Sequence, residues 1–561
     1  MHEIEMSVDD AKQVEVLGGN GEAVVVASPG SDTATDIEAH EIELEEKQPE
    51  SLRKILPQSD FHGKLAQYPG SDRMLVVVPD EKPPSDKTFT VETPVPKKST
   101  CQIVLDVFKS LYSCGLLVFS ITIVMAAIFT KQTTATEENN VHPALAFFGF
   151  WFLIAWLGMM EGGQGALVGL QPVDKALYKE THPRALMNTA LAHKGDNMER
   201  FIIGRQFLVV LVVFVTNQIA SAVKGASVLG FSDLASEIFL HSGLALILTT
   251  IMVGQLTAQV NAANCMLDFI NNYFMLFSIY VSLAIEKSGL LHCVYLVEIV
   301  FSWIAGKPIE TDEEPRTGAR KFFFWVRVII SLAILIFAFA VTLAALFDEK
   351  TDMWDGVPPS VSVVAFLFLM CFVGLMDGMQ IALFAVVNLP EEELRNHAIA
   401  HANCELTFRD QNLQAFLIGR QICVTICMFV VARITNVNVD LAANEGTIFG
   451  VPDGFQNFIN TGLLGAVITT VAGSLAWRII ASSFPVAFLS NPVIYLIIRL
   501  CLVLEASGVC SAAWVLGYIN KVLVGYEPDE VYLKAAQAAV AEDGERVLHP
   551  KASLWQRIWP W

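Results

Sequence analysis

Charge is scarce in this chain, and basic charge is scarcest. Of 561 residues only 17% are charged, and 37 Lys and Arg face 57 Asp and Glu, for a formal charge of −20. An acidic chain without a basic stripe is no nucleic-acid binder. Paired cysteines are also lacking. Ten are scattered, many in apolar runs, and no Cys-x-x-Cys occurs, so neither a disulfide framework nor a zinc ribbon is indicated. There is no Asn-x-Ser/Thr sequon. Residues 1–30 have neither the basic nor the apolar region of a signal peptide, so the first apolar stretch is expected to act as its own insertion signal. No nucleophile, cofactor or metalloprotease motif is present, which argues against an enzyme.

Apolar length is abundant. Hydrophobic residues make up 53% of the chain, and the mean hydropathy is +0.49. A bilayer core about 30 Å thick takes about 20 apolar residues per helix. Ten stretches qualify: 103–130, 143–170, 200–224, 239–262, 270–304, 322–347, 360–388, 413–434, 457–482 and 486–522. Backbone in lipid must satisfy its own hydrogen bonds, so each reads as a helix. The fifth and tenth are long for one span and could be tilted, broken or extended. The expected class is an all-α polytopic membrane protein. Residues 1–100 hold 20 acidic and 10 basic side chains and read as a mostly disordered cytoplasmic tail. Residues 523–561 form a second cytoplasmic tail, with one short helix around Val531–Ala541.

The chain repeats itself. Ala126-Ala127-Ile128-Phe129 returns as Ala344-Ala345-Leu346-Phe347, and Glu161-Gly162-Gly163-Gln164 as Asp377-Gly378-Met379-Gln380. Gly204-Arg205-Gln206 returns as Gly419-Arg420-Gln421, Thr249-Thr250 as Thr469-Thr470, and Glu286-x-Ser288-Gly289 as Glu505-x-Ser507-Gly508. The offset stays between 215 and 220 throughout. This divides the chain into a first five-helix repeat over 103–304, a linker over 305–321 and a second repeat over 322–522. Five is odd, so the halves are expected to insert with opposite orientation, the inverted repeat typical of transporters. Loop 171–199 carries Lys175, Lys179, Arg184 and Lys194, whereas its counterpart 389–412 carries only Arg395 and Arg409. The positive-inside rule then puts the first loop and both termini in the cytoplasm. Lys307, Arg316, Arg320 and Lys321 of the linker fall outside on this scheme, against the rule.

An ionisable group in a spanning helix costs about 2.5–3.5 kcal/mol at the centre and points to function. Glu161 and Gln164, like Asp377 and Gln380, share one helix face at i, i+3. The glycines between them let a solute or another helix reach the backbone. Arg205 and Gln206, and Arg420 and Gln421, lie in the first turns of the following stretch, at a depth where both motifs of one half can meet. A Glu–Arg pair could also merely knit helices together, but recurrence in both halves favours a site. Glu286 and Glu505 suit either a cation or a wet helix end. Thr249, Thr250, Thr469 and Thr470 could offer oxygens to sodium, or bond to their own helix carbonyls. Cys265 and Asp268 are a weak metal pair, since two ligands do not make a zinc site.

These residues resemble the diatom silicon transporter family. Its hallmark is Glu-Gly-x-Gln followed by Gly-Arg-Gln in each five-helix half, with Asp377 here in place of the second Glu. Cys265-Met-Leu-Asp268 also resembles a motif of that family. The resemblance spans residues 103–522. It implies sodium-coupled uptake of silicic acid across the plasma membrane, no cofactor, and sodium as the coupling ion. An internal silica-forming compartment and a homo-oligomer are both compatible with it. Silicic acid would be bound by Glu161, Gly162, Gln164, Gly204, Arg205, Gln206, Asp377, Gly378, Gln380, Gly419, Arg420 and Gln421. Sodium candidates are Glu161, Asp377, the four threonines, Glu286 and Glu505. A passive channel for small neutral polyols and a membrane-embedded sensor are the alternatives.

Overall fold

The computed structural model describes residues 100–533 apart from 224, 307–316, 355, 387–393, 410–411 and 440–445, and in the acidic tail the strands His2–Val8, Lys12–Gly19, Glu22–Val25, Glu38–His40, Lys64–Gln67 and Met74–Val77, paired as two antiparallel three-stranded sheets. The rest of the acidic tail, most of the linker and the chain beyond 533 lie outside the described residues, and with them most of the segment expected to be disordered and all but the start of the C-terminal helix.

The first half comprises α1 (Thr100–Phe129), α2 (Pro143–Gly169), a loop helix α3 (Pro183–Ala192), α4 (Asn197–Ala220), α5 (Leu244–Asn264), the short α6 (Met266–Ile270), α7 (Tyr273–Ser288) and α8 (Val294–Ala305). The second half repeats the series: α9 (Gly318–Phe347), α10 (Pro359–Val386), α11 (Ala398–Phe408), α12 (Asn412–Thr435), α13 (Leu463–Ser483), α14 (Pro485–Leu489), α15 (Pro492–Ala506) and α16 (Ala512–Val524). Pro143 and Pro359 open α2 and α10, where the missing N–H costs nothing. Asn272 and Asn491 cap α7 and α15, each side chain accepting a first-turn backbone N–H.

Among the described residues, eight helices are long and apolar enough to cross a membrane: α1, α2, α4, α5, α9, α10, α12 and α13. Of the forms open to the long fifth and tenth stretches, tilted, broken or extended, the structure shows the broken one. Each is split, into 16 and 12 residues on the first half and 15 and 13 on the second. The cause is local. Gly289 and Gly508 sit at φ +89 and +74, a left-handed turn that glycine adopts without strain. The hydroxyls of Ser288 and Ser507 bond back to Ile285 and Leu504 and receive the N–H of Leu290 and Val509. The repeated Glu-x-Ser-Gly is thus a helix break.

The repeat is visible in the contacts. Asn188 of α3 donates to the Ile270 carbonyl at 2.6 Å, and Asn403 of α11 to that of Leu489 at 2.8 Å. Isolated bridges join Thr133 to Ala222 and Thr351 to Val437. The halves also exchange their last helices: α8 packs on α13, and α16 on α5. In the hydrophobic windows of α5 and α12, 83% of residues are buried, against 33% in those of α2, α9 and α10. A helix apolar all round is either core or lipid-facing, and these fractions put α5 and α12 at the centre.

Candidate functional site

The glycines of the motifs serve helix packing. A Cβ on Gly204 would collide with the backbone carbonyl of Ser282 in α7, and one on Gly419 with that of Cys501 in α15. Gly162 and Gly378 receive the ring edges of Phe269 and Phe488 from α6 and α14. Backbone contact of this kind fixes α4 against α7 and α12 against α15 with no room for adjustment. Gly162 also reaches the cavity described next.

Behind these contacts, α2, α4 and α5 meet α10, α12 and α13 around a cavity of about 210 Å³. That is many times the ~10–15 Å³ that admits one water. Glu161, Gln164, Arg205 and Gln206 line it from the first half, and Asp377, Gln380, Arg420 and Gln421 from the second. All four sequence motifs therefore converge on one chamber. Its remaining wall is mainly apolar, with Val168, Val209, Phe384 and Met428 among the lining residues.

Three polar lining residues escaped the sequence reading: Gln255, Gln259 and Arg478. They come from α5 and α13, each of which widens to a π turn, over Thr250–Leu256 and Val471–Leu475. Such turns recur at functional sites because they redirect side chains. Gln259 and Arg478 stand at one offset of 219, the offset that relates the two Glu-x-Ser-Gly breaks. That offset was the available signal. Arg478 near the end of its stretch reads in sequence as an ordinary terminal charge.

The polar contacts form two clusters. In the second half, Arg420 Nη1 donates to Asp377 Oδ1 at 2.9 Å and Arg478 Nη2 to Oδ2 at 3.3 Å, and the Ser474 hydroxyl also donates to Oδ2. In the first half, Arg205 Nη1 is 3.6 Å from Glu161 Oε1, and Gln259 Nε2 donates to Oε2 at 3.2 Å. Gln259 Nε2 also approaches Gln421 Oε1 of the other half at 3.4 Å. Arg205 and Arg420 each donate from Nη2 to the next residue, Gln206 or Gln421, at 3.0 and 3.1 Å. Thr425 ties the halves again by donating to Gln255 at 2.5 Å.

A family model for silicon transporters matches residues 101–552. The chain belongs to the silicon transporter family. No curated protein and no solved structure matches it. Family membership makes it a membrane transport protein, and the match extends beyond the second repeat into the C-terminal tail.

Other residues singled out in this silicon transporter lie elsewhere. Thr249, Thr250, Thr469 and Thr470 donate to their own helix carbonyls four residues back, at 2.8–2.9 Å, and are absent from the cavity wall among the described residues. Glu286 is buried, accepts the Tyr295 hydroxyl at 2.9 Å and lies 3.9 Å from His292. Glu505 is half-buried at the matching break. Cys265 is buried at the α5–α6 corner, and Asp268 is engaged by His182 Nε2 at 3.1 Å, the Glu527 N–H at 2.7 Å and the Tyr532 hydroxyl at 3.4 Å. Among the described residues, no three potential ligands gather as a metal site would require.

The last of these contacts belong to a strap after α16. Asp529 accepts the N–H groups of Met266 and Leu267 at 2.8 and 2.9 Å, and Leu533 is buried in the apolar cluster with Leu167 and Tyr178. Burial pushes the Asp529 carboxyl up to about 7 against those two donors, and the charges of Asp268 and Glu530 add to the rise.

Proposed function

We propose that the protein is a sodium-coupled transporter that takes up silicic acid through the shared cavity, with its halves inserted in opposite orientation and each broken pair, α7–α8 and α15–α16, crossing the membrane as one interrupted span. The convergence of both Glu/Asp-Gly-x-Gln and both Gly-Arg-Gln motifs on one cavity carries this reading.

The chemistry is suited to the solute. Silicic acid is small, tetrahedral and uncharged at neutral pH, so its site needs donors and acceptors from several directions. Amides of Gln164, Gln206, Gln259, Gln380 and Gln421 supply both kinds. An enclosed polar site rejects analogues that leave its groups unpaired. Glu161 and Asp377 can accept Si–OH protons or contribute oxygen to sodium, a hard cation. The threonine oxygens keep free lone pairs for an ion after donating their protons. Two inverted halves meeting at a central site, with helices interrupted nearby, suit alternating access by rocking of one half against the other.

Silicic acid flux into liposomes holding the purified protein tests the proposal. An inward sodium gradient should accelerate uptake, and uptake should saturate. Non-saturating flux indifferent to sodium would indicate a channel, and binding without flux a sensor.

A further inference from the structure

We infer that the two half-sites of the cavity are not equivalent: the solute is held on the first-half side, between Glu161 and Arg205, and Arg478 excludes Asp377 from binding. The inference rests on the silicic acid reading above and assigns roles within that site.

The second-half carboxylate is nearly filled, with three donors on about four acceptor positions. Asp377 is 2% exposed, and both its oxygens are occupied, Oδ1 by Arg420 and Oδ2 by Arg478 and Ser474. The first-half carboxylate is open. Glu161 is 11% exposed, Oε1 has Arg205 Nη1 only at 3.6 Å, and Oε2 has one amide donor. Carboxylate oxygens each accept about two hydrogen bonds, so Glu161 retains acceptor capacity where Asp377 has little.

The arginines differ in the complementary sense. Arg420 uses Nη1 on Asp377 and Nη2 on Gln421. Arg205 is 1% exposed; its Nε has no hydrogen-bond partner, as in Arg420 and Arg478, but its Nη1 has none either. Buried guanidinium N–H groups are normally satisfied, and this Nη1 stands at the cavity wall 3.6 Å from an open carboxylate. A hydroxyl of a weak acid matches that pair. It donates its proton toward Glu161 and accepts from Arg205 on the same oxygen.

One matched position accounts for the difference. Gln259 of α5 and Arg478 of α13 occupy equivalent places in the repeat. The amide donates to Glu161 and leaves it reachable. The guanidinium adds a second positive charge to Asp377 and closes it. With all groups ionised, the cavity holds three guanidiniums against two carboxylates, so one positive charge is left over. Arg205, whose 3.6 Å contact with its carboxylate is the longest of the three, carries it. Gln259 is thus a positioning residue of the open half-site, and Arg478 sets which half-site is open.

The test is the silicic acid concentration that half-saturates the rise in melting temperature of the purified protein, compared across variants at equivalent positions. Gln259→Arg should close Glu161 as Arg478 closes Asp377 and weaken binding by at least about tenfold, while Arg478→Gln should change it by less than about threefold. Gln164→Ala and Gln380→Ala remove the same amide from the two sides without adding charge, so they report even where an arginine exchange disturbs folding. Gln164→Ala should be the more damaging by about fivefold or more. Equal losses in the two glutamine variants, or greater loss in Gln380→Ala, would overturn the inference and leave the transporter reading standing. No silicic acid binding by the unaltered protein would overturn both.

Discussion

The Ser113 hydroxyl of α1 donates to the Val509 carbonyl at 2.6 Å and accepts the Ala512 N–H at 2.8 Å, so one side chain closes the break between α15 and α16, 396 residues away. Ser331 of α9 does the same for α7 and α8, donating to Leu290 at 2.6 Å and accepting from Cys293 at 3.1 Å. Each half therefore satisfies the backbone that the other half's interrupted helix leaves open. Non-helical backbone at membrane depth is tolerated only when protein satisfies it. Ser113→Ala and Ser331→Ala should each destabilise the protein by about 1–3 kcal/mol, the cost of unpaired buried groups. Thermal unfolding in detergent measures this, and unchanged melting in both would show that the breaks need no such support.

Gly204→Ala should be far more damaging than its one carbon suggests. Overpacking typically costs about 1–3 kcal/mol, and the atoms in the way are backbone of Ser282 that cannot rotate aside. Gly419→Ala meets Cys501 in the same manner. Gly115→Ala has nothing within 4 Å and serves as the control. The yield of monodisperse protein should drop for the first two only.

The strap should respond to pH. Docked, the Asp529 carboxyl titrates at about 7 rather than at its ordinary 3.8. Between those values the docked group holds a proton that the released group has lost. Raising the pH through that window therefore weakens docking, by up to about tenfold per unit, with no further loss above it. Clipping of the strap by a protease active across the window should speed up as pH rises. Asp529→Asn should flatten that dependence, and an unaltered profile in that variant would assign it to another group.

Removal of both cavity amides, Gln164→Ala with Gln380→Ala, should reduce silicic acid uptake at least several-fold at equal surface expression. Each lost bond is worth about 0.5–1.5 kcal/mol, and more where a partner is left dry. Normal flux would reduce the two motifs to packing elements.

Opposite orientation of the halves can be read by labelling. Glu180 and Asn396 are both exposed in matched loops. With exposed Cys371 replaced, Glu180→Cys and Asn396→Cys should react with an impermeant thiol reagent from opposite sides of an intact membrane. Reaction from the same side would overturn the inverted arrangement.

The sequence alone showed the apolar helical stretches, the repeat and the polar motifs that the structure gathers around the cavity. Apolar runs of spanning length have one backbone solution in lipid, and an ordered offset of 215–220 residues divides the chain into halves. Glu161, Gln164 and Arg205 stand out because polar groups in such runs are expensive. Only the tertiary structure decided that the fifth and tenth stretches break, that the halves exchange their last helices, and that Glu161 and Asp377 differ. The two carboxylates lie in nearly identical local sequence. Their surroundings are set by Gln259 and Arg478, about 100 residues along the chain in another helix. Which donor meets which carboxylate depends on how α5 and α13 are placed and rotated by packing, and periodicity along the chain carries no record of that.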